Sequence, residues 1–354
     1  MSGGVDSSVA AARLVARGLD VVGVTLHLWD YPDDGSVRGR CCAPEDQHDA
    51  RRTADALGIA HYAFDRRAGF AREVVEPFVD AYLAGETPSP CVACNRGPKL
   101  RELFALADRL GAERVATGHY ARVVRDETTG RPWLAAARDA HKDQSYFLHA
   151  LSAAELARLE LPLGDATKPE VRAEALALGL PGAEKGESQE LCFVPTGRYD
   201  AFVEARADGR VRPGPIVDAS GAEVGRHGGV HGFTVGQRKG LGVALGEPAF
   251  VVGLDAATAT VRLGAARALD ARALSAADAR FHDDVPSEIF ARVKVRARHE
   301  GADATVRRLE GGRVEVRFEA PVRAVSVGQF AVAYDGERVL GGARITSVRS
   351  EDAA

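Results

Sequence analysis

Hydrophobic and polar positions along this chain follow two different periods, and the change from one to the other divides it. In the first half, apolar residues recur at helical spacing between short apolar runs. Residues 7–17 are Ala-rich and read as a helix stopped by Gly18. Residues 20–29 are β-branched and apolar, a buried strand, and 43–57 read as a charged amphipathic helix stopped by Gly58. Residues 61–64 and 114–117 are short strand candidates, while 70–83 and 98–110 read as helices. Strands separated by helices of this length imply a doubly wound α/β fold with a parallel sheet, whose ligands sit at the carboxyl ends of the strands.

From about Arg212 the period falls to two, with Gly and Pro punctuation, as in ARVKVRAR and GQFAVAYDGERVLGGARI. The strings around Glu310–Gly311–Gly312–Arg313 and Tyr334–Asp335–Gly336–Glu337 read as hairpins. This half is expected to be mostly antiparallel β, a small linking domain and then a terminal barrel. The division is therefore 1–205, 206–272 and 273–354.

Composition narrows the picture without changing it. The 354 residues are 45% apolar and 27% charged, which is globular rather than disordered. No run approaches a membrane span, and MSGGVDSS is no secretory leader, so a cytoplasmic protein is expected. Five cysteines, Cys41, Cys42, Cys91, Cys94 and Cys192, suit reactive or metal-binding thiols better than a disulfide framework. A net charge of −4 means that a nucleic-acid partner needs a local basic patch.

Four strings carry candidate chemistry. Ser2–Gly3–Gly4–Val5–Asp6–Ser7–Ser8 opens a helix. Its glycines let backbone approach a phosphate, and its hydroxyls and N–H groups form an anion cradle. Asp6 fits there by meeting Mg²⁺ or by orienting the loop. Such a loop follows a buried strand, so about five to seven strand residues are expected ahead of Met1. Without them the sheet is expected to show a central gap, and the chain to fold poorly.

The second string is Thr87–Pro88–Ser89–Pro90–Cys91–Val92–Ala93–Cys94–Asn95, whose C-x-x-C suits redox exchange or metal ligation. Alone it could be half a zinc site or two small core residues; Cys192, in ESQELCF, adds a third thiol. The third pairs Gly118–His119–Tyr120 with a loop holding Lys142, Asp143 and Gln144, able to grip a phosphate and a base edge or simply to form a solvated turn. In the fourth, Arg292, Lys294, Arg296 and Arg298 alternate with apolar residues, which on a strand puts four cations on one face.

Taken together, SGGVDSSVAA, the Cys41–Cys42 pair, TPSPCVACN, ATGHYARV, KDQSYFLHAL, ESQELCFVP, FTVGQRKGLG and GQFAVAYDGERVLGG resemble the bacterial tRNA-specific 2-thiouridylase family, within the PP-loop ATP pyrophosphatases. The resemblance implies an N-terminal PP-loop domain, a small central domain and a C-terminal β-barrel. It also implies ATP and Mg²⁺ as cofactors. The implied substrate is the wobble uridine of glutamate, glutamine and lysine tRNAs, and a cysteine desulfurase or relay protein would supply sulfur. On the matching positions, Ser2, Gly3, Gly4, Val5, Asp6, Ser7, Leu26 and Gly118 line the ATP site. Cys192 receives a persulfide sulfur, and Cys94 attacks it and leaves a disulfide. Ser89, Pro90 and Cys91 meet the target base. His119, Lys142, Asp143, Gln144, Arg296, Ala297 and Gln329 fall on tRNA-contacting positions. Cys91 stands where some members carry an acid/base Asp, and Ala297 where some carry Tyr. With Cys91 as a third thiol, the spacing also permits a [4Fe–4S] cluster on Cys91, Cys94 and Cys192. Other PP-loop synthetases and thiolases, or a non-catalytic RNA-binding protein with a metal site, are the rival readings.

Overall fold

The computed structural model describes residues 1–30, 44–183, 191–194, 197–243, 246 and 248–350. Cys41, Cys42 and the 187–190 part of the Cys192 string lie outside the described residues. The chain forms two compact units that are not contiguous in sequence. One comprises Met1–Val75, Cys91–Arg198 and Glu337–Val339; the other comprises Glu76–Pro90, Tyr199–Gly336 and the chain from Leu340 onward.

The first unit has the α/β character that the spacing implies. Strand β1 (Val22–His27) pairs in parallel with β2 (Ala60–Asp65), with Leu26 opposite Phe64 near the carboxyl end. A second parallel pair joins β3 (Val115–Ala116) to β6 (Leu159–Glu160). Between them in sequence, β4 (Arg122–Arg125) and β5 (Pro132–Ala135) form an antiparallel hairpin that the sequence reading did not include. Met1 lies beside β1: its ammonium donates to the Val24 carbonyl, and the Thr25 hydroxyl donates to the Met1 carbonyl at 2.6 Å.

The core of this unit locks two helices together. Val5 and Val9 of helix Val5–Ala16 share it with Val171 and Ala175 of helix Lys168–Ala177. Arg13 crosses between them, pairing with Glu174 at 2.6 Å and donating to the Pro162 carbonyl at 2.7 Å.

Two expected helices differ in detail. The 70–83 segment is three pieces, Arg67–Phe70, a π-type turn Ala71–Val75, and Glu76–Leu83. Pro77 explains the break: it donates no hydrogen bond and its ring crowds the carbonyl four residues back, so the turn before it widens. Similarly, helix Leu100–Leu110 starts later than the pattern suggests. Pro98 sits in a π-type turn Asn95–Lys99, in which Gly97 leaves helical geometry.

The second unit contains two β structures. In the smaller, the strand order is β8 (Glu223–His227), β7 (Gly214–Val217), β10 (Thr260–Gly264), β9 (Phe250–Asp255). Its β7–β10 pair is parallel, an exception to the antiparallel expectation. Ile216, Val230, Leu241, Val251, Val261 and Leu263 form its core.

The larger is a closed six-stranded barrel. β11 (Asp270–Phe281) pairs with β14 (Arg313–Arg323), and the order continues through β13 (Ala302–Leu309), β12 (Glu288–Lys294), β15 (Phe330–Asp335) and β16 (Arg338–Ser350), which returns to β11. Alternate residues such as Val314, Val316 and Phe318 point inward with Ala304, Val306, Ala291 and Val293, as the two-residue period requires. Both hairpins read from the sequence are present, at β13–β14 and β15–β16.

The basic stripe needs correction. β12 ends at Lys294, so Arg296 and Arg298 follow it in a bend and turn rather than on the strand. The His299 N–H donates to the Arg296 carbonyl at 3.0 Å, which closes that turn. Burial still alternates through the turn, leaving Arg292, Arg296 and Arg298 exposed.

Candidate active site

The first helix opens on a loop tied by its own hydroxyls. The Ser2 N–H donates to Ser7 Oγ at 3.0 Å, the two serine hydroxyls stand 3.2 Å apart, and both Ser7 and Ser8 hydroxyls donate to the Gly4 carbonyl. Gly4 caps the helix in extended conformation with no side-chain cap, which leaves first-turn N–H groups facing outward. Gly3 has φ +72°, and a Cβ there would fall 2.0 Å from the Asp46 carbonyl oxygen. Gly118, just past β3, comes against the same loop: its Cβ would stand 2.8 Å from Asp6 C and 2.9 Å from Ser7 N. Ser2, Gly3, Gly4, Asp6, Ser7 and Gly118 are thus assembled in one place, with Val5 buried beneath them in the core.

Asp6 is a carboxylate inside this loop, where an anion cradle is expected. An unpaired carboxylate about 4 Å from a phosphate charge would repel it by roughly 4 kcal/mol at an effective dielectric near 20. Here two donors meet Asp6 Oδ1, the Tyr120 hydroxyl and the Lys168 ammonium, each at 2.7 Å. Lys168 also lies 5.8 Å from the centre of the Tyr120 ring. Sequence reading missed Lys168. The only local signal was the Thr167-x-x-Glu170 capping box, which places a helix start there and is formed in full.

Next to Tyr120, His119 is buried. Its Nδ1 is 2.8 Å from the Thr117 hydroxyl and its Nε2 is 3.1 Å from Lys99 Nζ. Burial first, and the Lys99 charge second, push its pKa well below the ordinary histidine value, so the ring is neutral at pH 7. The Lys142–Gln144 loop is fastened from within. Gln144 Oε1 accepts from the Tyr120 N–H at 2.9 Å, and the Gln144 N–H donates to the Tyr120 carbonyl at 2.8 Å. Asp143 Oδ1 accepts from the N–H groups of Ala137 and Ser145, and Oδ2 from the Ser145 hydroxyl. In this structure Asp143 and Gln144 shape the loop, and Lys142 is half-buried beside them.

The short helix Pro90–Cys94 puts Cys91 and Cys94 three residues apart, on one face. Cys91 is exposed as a residue, although crowding around its sulfur raises the thiol pKa, with Lys99 opposing. The exposure decides what can reach it; the neutral thiol makes it a weak general base. Cys94 and Cys192 are half-buried. Cys192 is held by its neighbour: the Phe193 ring is buried and packs edge-on against Phe70 at 5.7 Å and Trp29 at 6.2 Å. Among the described residues, no three His, Cys, Asp or Glu side chains stand close enough to hold a metal ion. Cys91, Cys94 and Cys192 are therefore not arranged as cluster ligands in this structure.

The remaining candidates belong to the second unit. Gln329 Nε2 donates to the Thr87 carbonyl at 2.9 Å and to the Pro88 carbonyl at 3.3 Å. Gly328, with φ +92°, lets that approach happen, since a Cβ would be 3.0 Å from the Thr87 oxygen. Glu86 pairs with Arg344. The segment that carries Ser89 and Pro90 is thereby fastened to the barrel loop. Ala297 is half-buried between exposed Arg296 and Arg298, and Lys294 lies over the Tyr334 ring at 4.9 Å.

Comparison with known proteins agrees with this layout. Residues 1–196 match the tRNA methyl transferase HUP domain, 201–265 the tRNA methyl transferase PRC-barrel domain, and 271–345 the aminomethyltransferase beta-barrel domain. A protein of Sorangium cellulosum named tRNA-specific 2-thiouridylase MnmA is 66% identical, with 100% of this chain and 93% of that protein covered. Proteins of the same name from Chloroflexus aggregans and Moorella thermoacetica are 50% and 47% identical; coverage is 97% and 98% of this chain, and 96% and 98% of theirs. Matched across its full length, the chain belongs to the tRNA-specific 2-thiouridylase family.

Proposed function

We propose that this protein uses ATP to activate the wobble uridine of glutamate, glutamine and lysine tRNAs, and replaces the C2 oxygen with sulfur. The observation that carries the reading is the cradle: a hydroxyl-closed loop on a helix N-terminus, with Gly118 pressed against it and its one carboxylate neutralised. Loops of this kind receive nucleotide phosphates, and Mg²⁺ would accompany them. Leu26, at the end of a parallel strand, is on the side where such sheets bind ligands.

The chemistry needs activation because a uracil carbonyl is a poor electrophile with a poor leaving oxygen. The C2 oxygen attacks the α-phosphorus of ATP, and pyrophosphate leaves. A persulfide on Cys192 attacks C2, and AMP leaves with the former carbonyl oxygen. The Cys94 thiolate then attacks the Cys192 sulfur, so the thiocarbonyl is released and a Cys94–Cys192 disulfide remains. An external dithiol supplies two electrons to restore both thiols, and a cysteine desulfurase or relay protein reloads Cys192. To reach the site, the base must leave its stack in the anticodon loop.

Within this scheme, Ser89, Pro90 and Cys91 meet the base, and His119, Lys142, Asp143, Gln144, Arg296, Ala297 and Gln329 serve tRNA binding or shape the elements that do. Residues 1–205, 206–272 and 273–354 are the working domains, and the cytoplasm is the compartment. Asp6→Ala tests the assignment: AMP and pyrophosphate release on adding tRNA should fall at least about 100-fold, as when a residue of a transition-state charge site is lost. Binding of tRNA should stay within about threefold. Undiminished AMP formation would remove the phosphate role from this loop.

A further inference from the structure

Lys99 carries a charge that nothing around it cancels. It closes the π-type turn Asn95–Lys99, in which Gly97 leaves helical geometry, and it is half-buried. Its ammonium stands 3.1 Å from His119 Nε2. An ammonium only donates, so Nε2 accepts and the ring proton lies on Nδ1, 2.8 Å from the Thr117 hydroxyl. The buried, neutral ring fixes the position of the charge without offsetting it. The carboxylates that flank the segment are taken by arginines, Glu73 by Arg101 and Glu102 by Arg66. Among the described residues no carboxylate pairs with Lys99. Cys91 feels the charge, but its thiol stays neutral and supplies no counter-ion. A half-buried cation in this state is completed by an anionic or strongly accepting ligand. Its surroundings say where that ligand lies. His119 follows Gly118, which presses on Asp6 and Ser7 of the first loop, and Cys91 lies on the thiol side. A base joined to the α-phosphorus and attacked by sulfur belongs between the two.

We propose that Lys99 donates to O4 of the target uracil, stabilises the charge that the reaction places there, and selects uridine over cytidine. The assignment rests on the thiolation reading above and adds to it the group that recognises the base. O2 is consumed by the α-phosphorus, and the N3 proton passes to solvent in that step, leaving a C2=N3 double bond. Attack of the persulfide sulfur on C2 pushes that π pair onto N3 and, by conjugation, onto O4. Departure of AMP with its C2–O pair draws the N3 pair back into C2=N3. O4 is thus the oxygen that carries transient charge, and a fixed cation beside it acts as an oxyanion site. Cytidine presents an amino group in place of O4, so donor would face donor.

Anticodon stem–loops that differ only in uridine or cytidine at the wobble position test this on the whole protein without ATP, by fluorescence titration. The wild type should prefer the uridine loop about tenfold, the scale of one charge-assisted hydrogen bond. Lys99→Met should bring the two affinities within about twofold by weakening only the uridine loop, and Lys99→Arg should keep the preference. With ATP present, AMP formation from the uridine loop should fall at least about tenfold in kcat in Lys99→Met. A preference retained by Lys99→Met, including a parallel weakening of both loops as a purely structural role would give, overturns the proposal. So does a wild type without preference, or an unchanged kcat. Lys99→Leu replaces Lys99→Met should the latter not fold. A wild type that binds neither loop would instead remove the tRNA reading itself.

Discussion

Cys91 and His149 show how far single residues can be argued. Cys91 is exposed, its thiol pKa is raised, and among the described residues no three-thiol ligand set surrounds it. Those facts favour the proposal that Cys91 is a bystander or weak acid/base. Cys91→Ser should keep at least about a third of persulfide-dependent thiolation, a loss below about 1 kcal/mol in barrier. Cys94→Ser and Cys192→Ser should abolish it. Loss of bound iron together with activity in anaerobically purified Cys91→Ser protein would overturn this assignment. His149 is buried with Nδ1 2.8 Å from the Tyr146 carbonyl, and burial lowers its pKa to about 4. The unfolded chain therefore binds a proton near pH 6.5 that the folded chain refuses, so stability falls as pH drops below that value. At pH 5.5 the loss from His149 is on the order of 1 kcal/mol, and His119 shifts in the same direction. Denaturant midpoints at pH 7.5 and 5.5 should show the drop, and it should shrink in a folded His149→Gln variant. A flat profile would mean that the two rings gain protons within the folded protein. Neither shift was legible in the sequence, since burial of a loop histidine is set by chain segments remote from it.

Among elements, those written in local pattern emerged as expected: the first helix, β1, the helix Pro44–Leu57 and both barrel hairpins. The departures have local causes in the same alphabet. Pro77 and Pro98 open π-type turns inside segments whose apolar spacing is helical throughout. Alternation alone carried the reading of a basic strand past its true end at Lys294, because the turn after it keeps one side buried. The turn does not withdraw the cations from solvent, so a tRNA role for Arg296 and Arg298 remains the proposal. Replacing both with Ala should weaken tRNA binding about tenfold and lower the slope of log K against log salt by about 1–2, one released counterion per lost phosphate contact. Salt titrations of affinity check this, and an unchanged slope would place the phosphate contacts elsewhere. Lys168 shows the opposite limit: its capping box is local and readable, while its partner Asp6 is 162 positions away and visible only in the fold.

For the whole molecule, the order of the chain was readable and its compactness was not. The PP-loop string, the C-x-x-C and the period-two half announced an α/β part followed by β parts. Nothing local announced that 76–90 leaves the first unit, and that its Phe78 and Tyr82 pack against Phe202 and Tyr199 of the second. No helix among the described residues is long and apolar enough to cross a membrane. The claim that joins loop, thiols and barrel is replacement of a uridine oxygen by sulfur. It is tested most directly by mass spectrometry of nucleosides digested from tRNA incubated with the protein, ATP, Mg²⁺, a dithiol and a persulfide donor. The account predicts 2-thiouridine at the wobble position, one AMP formed per sulfur inserted, and none without ATP. Unmodified uridine alongside continued AMP release, or sulfur insertion without ATP, would contradict it.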